Sequence, residues 1–266
     1  MSEANQMSQS KVHPEPMKRI PFLGVVYDPL EADEVLDRLI ARDPQADFAQ
    51  IVTPNSDHLV RIDQGDDRIR QAYLDAWLCL NDSRIVGMVA KARGIPLTTV
   101  PGADLVRDLF NSKRFDPSWP LLLVGGTPEL FAALVDRFGL QNAIHYDAPM
   151  GLLKDRAKFD ATLAAIEGRP ARFTLLAVGS PQQELLAHAL VERGRAKGVG
   201  LCIGAAVDFL VNPERRAPRW MSQAGLEWFF RLSREPRRLW RRYLVDSPKV
   251  FTLAYREWRA GREGGK

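Results

Sequence analysis

Short apolar runs alternate with stretches whose apolar residues recur every three or four positions, almost from end to end of the chain. Phe22–Asp28, Phe48–Asn55, Leu78–Asp82, Leu121–Gly126, Ala143–Pro149, Phe173–Pro181 and Leu201–Val207 have the length and composition of strands. Between them, helical spacing predicts helices from Glu31, over Asp66–Trp77, over Arg84–Arg93, from Gly102 or Ala103, and over Pro128–Phe138, Lys154–Glu167 and Gln182–Lys197. Leu97–Val100 followed by the helix at Gly102 looks like one more strand–helix repeat. The strands are continuously apolar, which implies a sheet covered on both faces. The predicted class is therefore α/β: a Rossmann-like, mostly parallel sheet with helices on both faces.

The alternation stops near Asn212. Beyond it, Pro218 and Pro236 punctuate helical stretches over Ser222–Arg234 and Arg237–Val245, with a last one over Pro248–Arg259. Charge changes at the same place. Residues 214–266 carry 14 Lys and Arg against 6 Asp and Glu. Of the chain's 37 basic and 33 acidic residues, that leaves 23 and 27 in the first 213, so an acidic body meets a basic tail. Four of the six tryptophans, Trp220, Trp228, Trp240 and Trp258, lie in the tail. The expected organisation is a polar leader over 1–18, an α/β catalytic core over 19–213 and a helical appendage over 214–266.

Other features narrow the class. No apolar run is long enough to span a bilayer, and the leader lacks the apolar segment of a secretory signal, so a cytoplasmic location is expected. Cys79 and Cys202 sit in apolar runs and are expected as buried packing residues, not as a disulfide. Four scattered histidines without ligand spacing predict no metal site, and the lack of a dinucleotide fingerprint argues against a nicotinamide cofactor; no cofactor is expected.

In open parallel sheets ligands bind beyond the carboxyl ends of the strands. The residues there include Thr53, Asn55, Asp82, Gly125, Gly126 and the Gly179–Glu184 segment. Gly125 and Gly126 could let backbone N–H groups approach a phosphate, or could simply make a tight turn. Asp82 could act as a general base or cap the helix that follows; Asn55 could hold a substrate hydroxyl or cap a helix. Gln183 and Glu184 could face the crevice or merely open a helix, and Asp208 could accept from a base or ribose or be a surface residue. Arg231, Arg234, Arg238, Arg241 and Arg242 would share one face if the tail helix is continuous, beside Trp228, Trp240 and Tyr243. Arginine forks suit phosphate, and tryptophan with basic residues suits an anionic membrane surface. The alternatives are a solvated basic helix and nucleic acid, the latter disfavoured by the acidic body.

Thr53-Pro54-Asn55, Asn81-Asp82, Gly102 with Asp104-Leu105, Leu121–Glu129, Gly179–Glu184, Ile203–Asn212, Arg216–Met221 and Gly225–Leu244 together resemble the WecG/TagA/CpsF family of bacterial glycosyltransferases. The resemblance runs from about Ile20 to Leu244. It implies an inverting, metal-independent enzyme that moves a sugar from a UDP-sugar to a polyprenyl-diphosphate-linked saccharide at the inner face of the cytoplasmic membrane. Asp82 stands where the family has its catalytic base, with Ser83 in place of the family's glycine. Thr53 and Asn55 match residues near the sugar, Gln183 and Glu184 a donor-site motif, and Asp208 an aspartate near the uracil or ribose. Arg231, Arg238 and Arg241 match basic residues of the tail thought to reach the diphosphates. N-acetylmannosamine, its uronate and glucose all occur as donor sugars in the family, which serves teichoic acid, common-antigen and exopolysaccharide synthesis. The tail's apolar residues could meet a membrane or a second copy of the chain. A nucleotide-sugar-binding protein without catalysis is the remote alternative.

Overall fold

The computed structural model describes residues 18–65, 67–218, 220–221 and 224–263. Most of the leader, Asp66 and Ser222 therefore lie outside the described residues. Six strands form one parallel sheet: β3 (Ala49–Val52), β4 (Leu78–Cys79), β5 (Leu121–Val124), β6 (Ala143–Tyr146), β7 (Phe173–Leu176) and β8 (Val199–Cys202), in the order β4-β3-β8-β7-β5-β6. The predicted α/β class holds.

Three local readings change. Phe22–Asp28 is not a strand of this sheet. Leu23 and Gly24 take positive φ, at 53° and 80°, and fold β1 (Ile20–Phe22) back on β2 (Val25–Tyr27) as a separate antiparallel pair. Leu97–Val100 forms no strand; Asn81 ties it down instead, taking a hydrogen bond from Val100 N and giving one to Thr99 Oγ1. The run from Leu201 stops being a strand at Cys202, and α9 (Ala206–Val211) follows, so Asp208 sits on a helix.

Alternation along each strand splits the core in two. Val52, Cys79, Leu122, Val124, Leu176 and Cys202 pack beneath α2 (Ser56–Asp63), α3 (Asp67–Leu74), α4 (Arg84–Ala92), α7 (Arg156–Glu167) and α8 (Gln182–Arg193). Ile51, Leu78, Leu121, Leu123, Phe173, Leu175, Val199 and Leu201 pack on the other face, beneath α1 (Ala32–Ala41), α5 (Gly102–Asn111), α6 (Pro128–Phe138) and α9. Both cysteines are free and buried, as expected.

This layering positions the site. β8 delivers its chain to α9 on one face, while its neighbours β3 and β7 deliver theirs to α2 and α8 on the other. The connections therefore part above β8 and leave a crevice at the strands' carboxyl ends.

The tail is less of an appendage than its composition suggests. It holds α10 (Glu227–Arg234), α11 (Pro236–Arg241), one wide turn over Arg242–Asp246, and α12 (Lys249–Glu263). Val250 and Ala254 of α12 are buried in the same core layer as α2. Glu257 Oε2 accepts the Leu23 N–H at 2.7 Å, which fastens α12 to the amino-terminal hairpin.

One glycine gives a direct test of the sheet's entry. Gly198 precedes β8 with φ +83°, and a Cβ there would lie 2.2 Å from the Ala171 carbonyl oxygen and 2.7 Å from that of Arg172. Gly198→Ala must combine strained backbone with a clash against backbone that a rotamer change cannot relieve. It is expected to cost about 3 kcal/mol or more, read by denaturant unfolding.

Candidate active site

The crevice is a cavity of about 690 Å³ over the ends of β3, β4, β7 and β8, closed on one side by α10, α11 and the wide turn. Three loops build its floor. Asp82 N donates to Pro54 O, joining the β4 loop to the β3 loop. Gly102 N, at the start of α5, donates to Asp82 Oδ1 at 2.9 Å. Thr53 lies close against Gly102, where a Cβ would meet its Oγ1 at 2.8 Å, so a side chain at 102 would push Thr53 out of place.

Asp82 is half-buried at the end of this floor. Burial raises its carboxyl to about 7, helped by the negative Glu227; the Gly102 N–H, Arg231 and the Asn55 side chain pull the other way. The carboxylate is thus poised where it can both accept and release a proton near neutrality. It is not the cap of α4. Ser83 takes that role, its Oγ accepting from Val86 N at 3.3 Å. At φ −112° Ser83 has backbone that any residue adopts, and its Oγ also meets Ser56 Oγ at 3.0 Å.

Asn55 does cap a helix: its Oδ1 accepts from Asp57 N and His58 N at 3.1 and 3.3 Å, leaving the amide nitrogen on the cavity side. Gln183, though buried, reaches the cavity and steadies the β8 loop, its Oε1 accepting from Gly204 N at 2.9 Å.

The walls are strongly basic. Arg61, Arg84, Arg216, Arg231, Arg238 and Arg242 all line the cavity, against the acidic Asp57, Asp82 and Glu227. Asp57 organises two of them. It accepts from Arg61 at 2.9 Å and pairs with Arg242 Nε at 3.4 Å, so one carboxylate holds a body arginine beside a tail arginine. Arg61 also donates to Ser180 Oγ at 3.1 Å, Arg216 pairs with Asp104 at 2.8 Å, and Arg231 lies over the Phe209 ring.

The structure thus brings Thr53, Asn55, Asp82, Gln183, Arg231 and Arg238 to one cavity. Gly125, Gly126, Glu184, Asp208 and Arg241 are not among its lining residues. Gly125 has a packing reason of its own: with φ +86°, a Cβ there would meet Val178 Cγ1 at 2.8 Å and the Ala177 carbonyl at 3.1 Å. Glu184 is buried beneath the floor, Asp208 accepts from Asn212 on its own helix, and Arg241 is exposed and faces Asp246. The five tail arginines do not share one face. The helix is interrupted at Glu235, with φ −131° and ψ 60°, and Arg231, Arg238 and Arg242 reach the cavity from three successive elements. Arg61 carried no signal beyond its place on the helix after β3.

Among the described residues no three His, Cys, Asp or Glu side chains gather as a metal site would require. The family model for the glycosyl transferase WecG/TagA/CpsF family matches residues 20–264, nearly the whole chain. The chain belongs to that family. It is accordingly a glycosyltransferase of cell-surface polysaccharide synthesis, a family that works with a nucleotide-sugar donor and a lipid-linked acceptor. In this WecG/TagA/CpsF enzyme the cavity is lined by six arginines against three carboxylates. No helix among the described residues is long and apolar enough to cross a membrane.

Proposed function

We propose that the enzyme transfers a sugar from a UDP-sugar to a saccharide carried on polyprenyl diphosphate, with inversion and without a metal, using Asp82 as general base. The observation that carries this reading is Asp82, with its carboxyl near 7, facing a wall of arginines across one cavity. Asp82 takes the proton of the acceptor hydroxyl as its oxygen attacks the anomeric carbon, and the bond to UDP breaks on the opposite side. A single displacement inverts that centre. The leaving diphosphate gains negative charge, which arginines already in place stabilise without reorganising. Arg231 and Arg238, with Arg61 and Arg242 held by Asp57, are the groups positioned for this. Thr53 and Gln183 are the polar groups available to the sugar and nucleotide, and Asn55 stands beside Asp82 in the same cavity.

Gly125, Gly126, Glu184, Asp208 and Arg241 stand outside the cavity lining and have no direct contact with substrate in this reading. Membrane docking is supported by the outer surface of the tail. Trp220, Phe229, Trp240, Tyr255 and Trp258 are exposed there, along with the exposed Arg234, Arg237 and Arg241. Exposed aromatic and cationic side chains suit the headgroup region of anionic lipid, at the inner face of the cytoplasmic membrane.

The test is to incubate the full chain with a panel of UDP-sugars, glucose, N-acetylmannosamine and its uronate included, and a short-chain prenyl-diphosphate-linked sugar. UDP release dependent on the acceptor, with an inverted product anomer, is expected; retention at the anomeric centre overturns the single displacement. Because the base must be ionised, kcat/KM is expected to rise with pH and level off above about 7, the value of the Asp82 carboxyl. A profile flat from pH 5 to 8 would remove Asp82 from that role.

A further inference from the structure

Behind Asn55 runs a set of buried polar side chains that the transfer reaction does not itself use. His58 on α2 is nearly fully buried, and burial, with the charges of Arg242 and Arg61 beside it, lowers its pKa well below the ordinary value; it is neutral. Its Nδ1 lies 3.0 Å from the hydroxyl of Tyr73 on α3, and its Nε2 lies 3.5 Å from Asn55 Nδ2. Glu184, in the first turn of α8, is 1% exposed. Its Oε1 accepts from Gln183 Nε2 at 2.9 Å, its Oε2 has no hydrogen-bond partner, and the Tyr73 and Ser180 side chains are neighbours of the carboxyl. Burial raises the Glu184 carboxyl as well as the Tyr73 phenol, whose other neighbours are Cys79 and Cys202.

The chemistry of these groups leaves one consistent direction. The oxygen of Asn55 is committed to two backbone N–H groups, so the group it turns to His58 is its NH₂, which can only donate. Nε2 must therefore accept. A neutral imidazole that accepts at Nε2 carries its proton on Nδ1, so Nδ1–H donates to the Tyr73 oxygen. Tyr73 must then send its own hydrogen elsewhere; of the two acceptors beside it, Ser180 Oγ already accepts from Arg61, which leaves the Glu184 carboxylate. The reverse direction would set the Nε2–H against the Asn55 NH₂, two buried donors with no acceptor between them.

We infer that Glu184, Tyr73 and His58 are positioning residues: a one-way hydrogen-bond chain that holds His58 in the Nδ1–H tautomer and aims the Asn55 amide at Asp82. The inference rests on the general-base role proposed for Asp82. The second N–H of Asn55 is then free for the Asp82 carboxylate, which also accepts from Gly102 N. The carboxylate is held by two donors from two loops, and its pKa is kept from rising further. This gives Glu184 a place in the site without contact with substrate.

The tautomer can be read without any substrate. In the uniformly ¹⁵N-labelled full chain, long-range ¹H–¹⁵N spectra distinguish the two ring nitrogens of each of the four histidines. A His58→Gln sample assigns the His58 signals. The Nδ1–H form is expected from pH 6 to 8. In Glu184→Gln the new amide can donate to the Tyr73 oxygen, so Tyr73 turns its hydrogen to Nδ1 and His58 changes to the Nε2–H form. The acid limb of kcat/KM is then expected to move up by roughly half a unit to one unit as Asp82 loses its Asn55 donor. Tyr73→Phe, which keeps the ring but breaks the chain, is expected to shift the limb the same way. An Nε2–H tautomer in the unmodified chain overturns the inference, and so does a pH profile unmoved in both variants. If neither variant folds, the tautomer of the unmodified chain decides. If no sugar transfer is found with any donor, the proposed reaction fails while the tautomer still decides the direction of the chain.

Discussion

Asp82→Asn is expected to lower kcat by roughly 10²–10⁴-fold, the range for loss of a general base, and at the same time to raise the melting temperature at pH 8. The two effects have one cause. Burial holds the Asp82 carboxyl at about 7 in the folded chain, against 3.8 for a free aspartate. A carboxyl whose folded pKa is raised favours the folded state while protonated. That contribution is complete below about pH 3.8 and is lost as pH rises through about 7. At pH 8 the folded protein carries a charge its surroundings disfavour. Asparagine removes the charge and can still accept the Gly102 N–H. The gain in stability should therefore shrink as the pH is lowered toward 4. Calorimetry at pH 8, 6 and 4, with initial-rate kinetics at pH 8, checks both halves. A variant that is inactive because it is less stable would point to a structural role for Asp82, and a variant of near-normal turnover would exclude the carboxylate as base.

The same residue shows why some of the site was legible in the sequence and some was not. Asp82, Thr53, Asn55 and Gln183 all follow strands, and a parallel sheet sends the ends of its strands to one side, so strand boundaries sufficed to place them together. Arg61 and His58 lie inside a helix, where nothing local tells a cavity-facing residue from a solvent-facing one; that depends on the tail closing over α2. Asp208 was misplaced by the apolar character of Leu201–Val207, which suits a buried strand and a buried helix equally well. Gly125 and Gly126 looked like a phosphate loop because turn glycines and phosphate loops share the positive φ that both residues have. For Gly125 a packing reason is the approach of Ala177 and Val178, just past the end of β7, a long-range contact that the sequence does not display. Arg241 was preferred over Arg242 on resemblance; the interruption at Glu235 sets which arginines reach the cavity, and their spacing in the sequence does not display it.

Two alterations of the tail should have opposite consequences, and together they separate its two roles. Replacing Arg231 and Arg238 with alanine removes two cavity cations that have little part in the core: Arg238 is exposed, and Arg231 rests on the Phe209 ring. Each charge-assisted bond to a phosphate oxygen is worth about 1.5–3 kcal/mol, so the pair is expected to reduce kcat/KM by roughly 10²–10⁴-fold, with melting little changed. Deleting residues 248–266 leaves both arginines in the chain but removes α12. Val250 and Ala254 then leave the core, and the Leu23 N–H, buried at a residue with φ 53°, loses Glu257 as acceptor. Lost apolar burial and an orphaned donor together are expected to cost about 4–6 kcal/mol. At this chain length that corresponds to a fall in melting temperature of roughly 10–20 °C. Composition alone made the tail a detachable module; the packing of α12 on α2 makes its last helix part of the core, and α10, α11 and the wide turn, which close over the cavity, are the segment proposed to serve substrate and membrane. A truncated chain that melts normally would restore the detachable module. A truncated chain that melts early, beside a double-alanine variant that melts normally but works poorly, would place stability in α12 and phosphate recognition in the arginines before it.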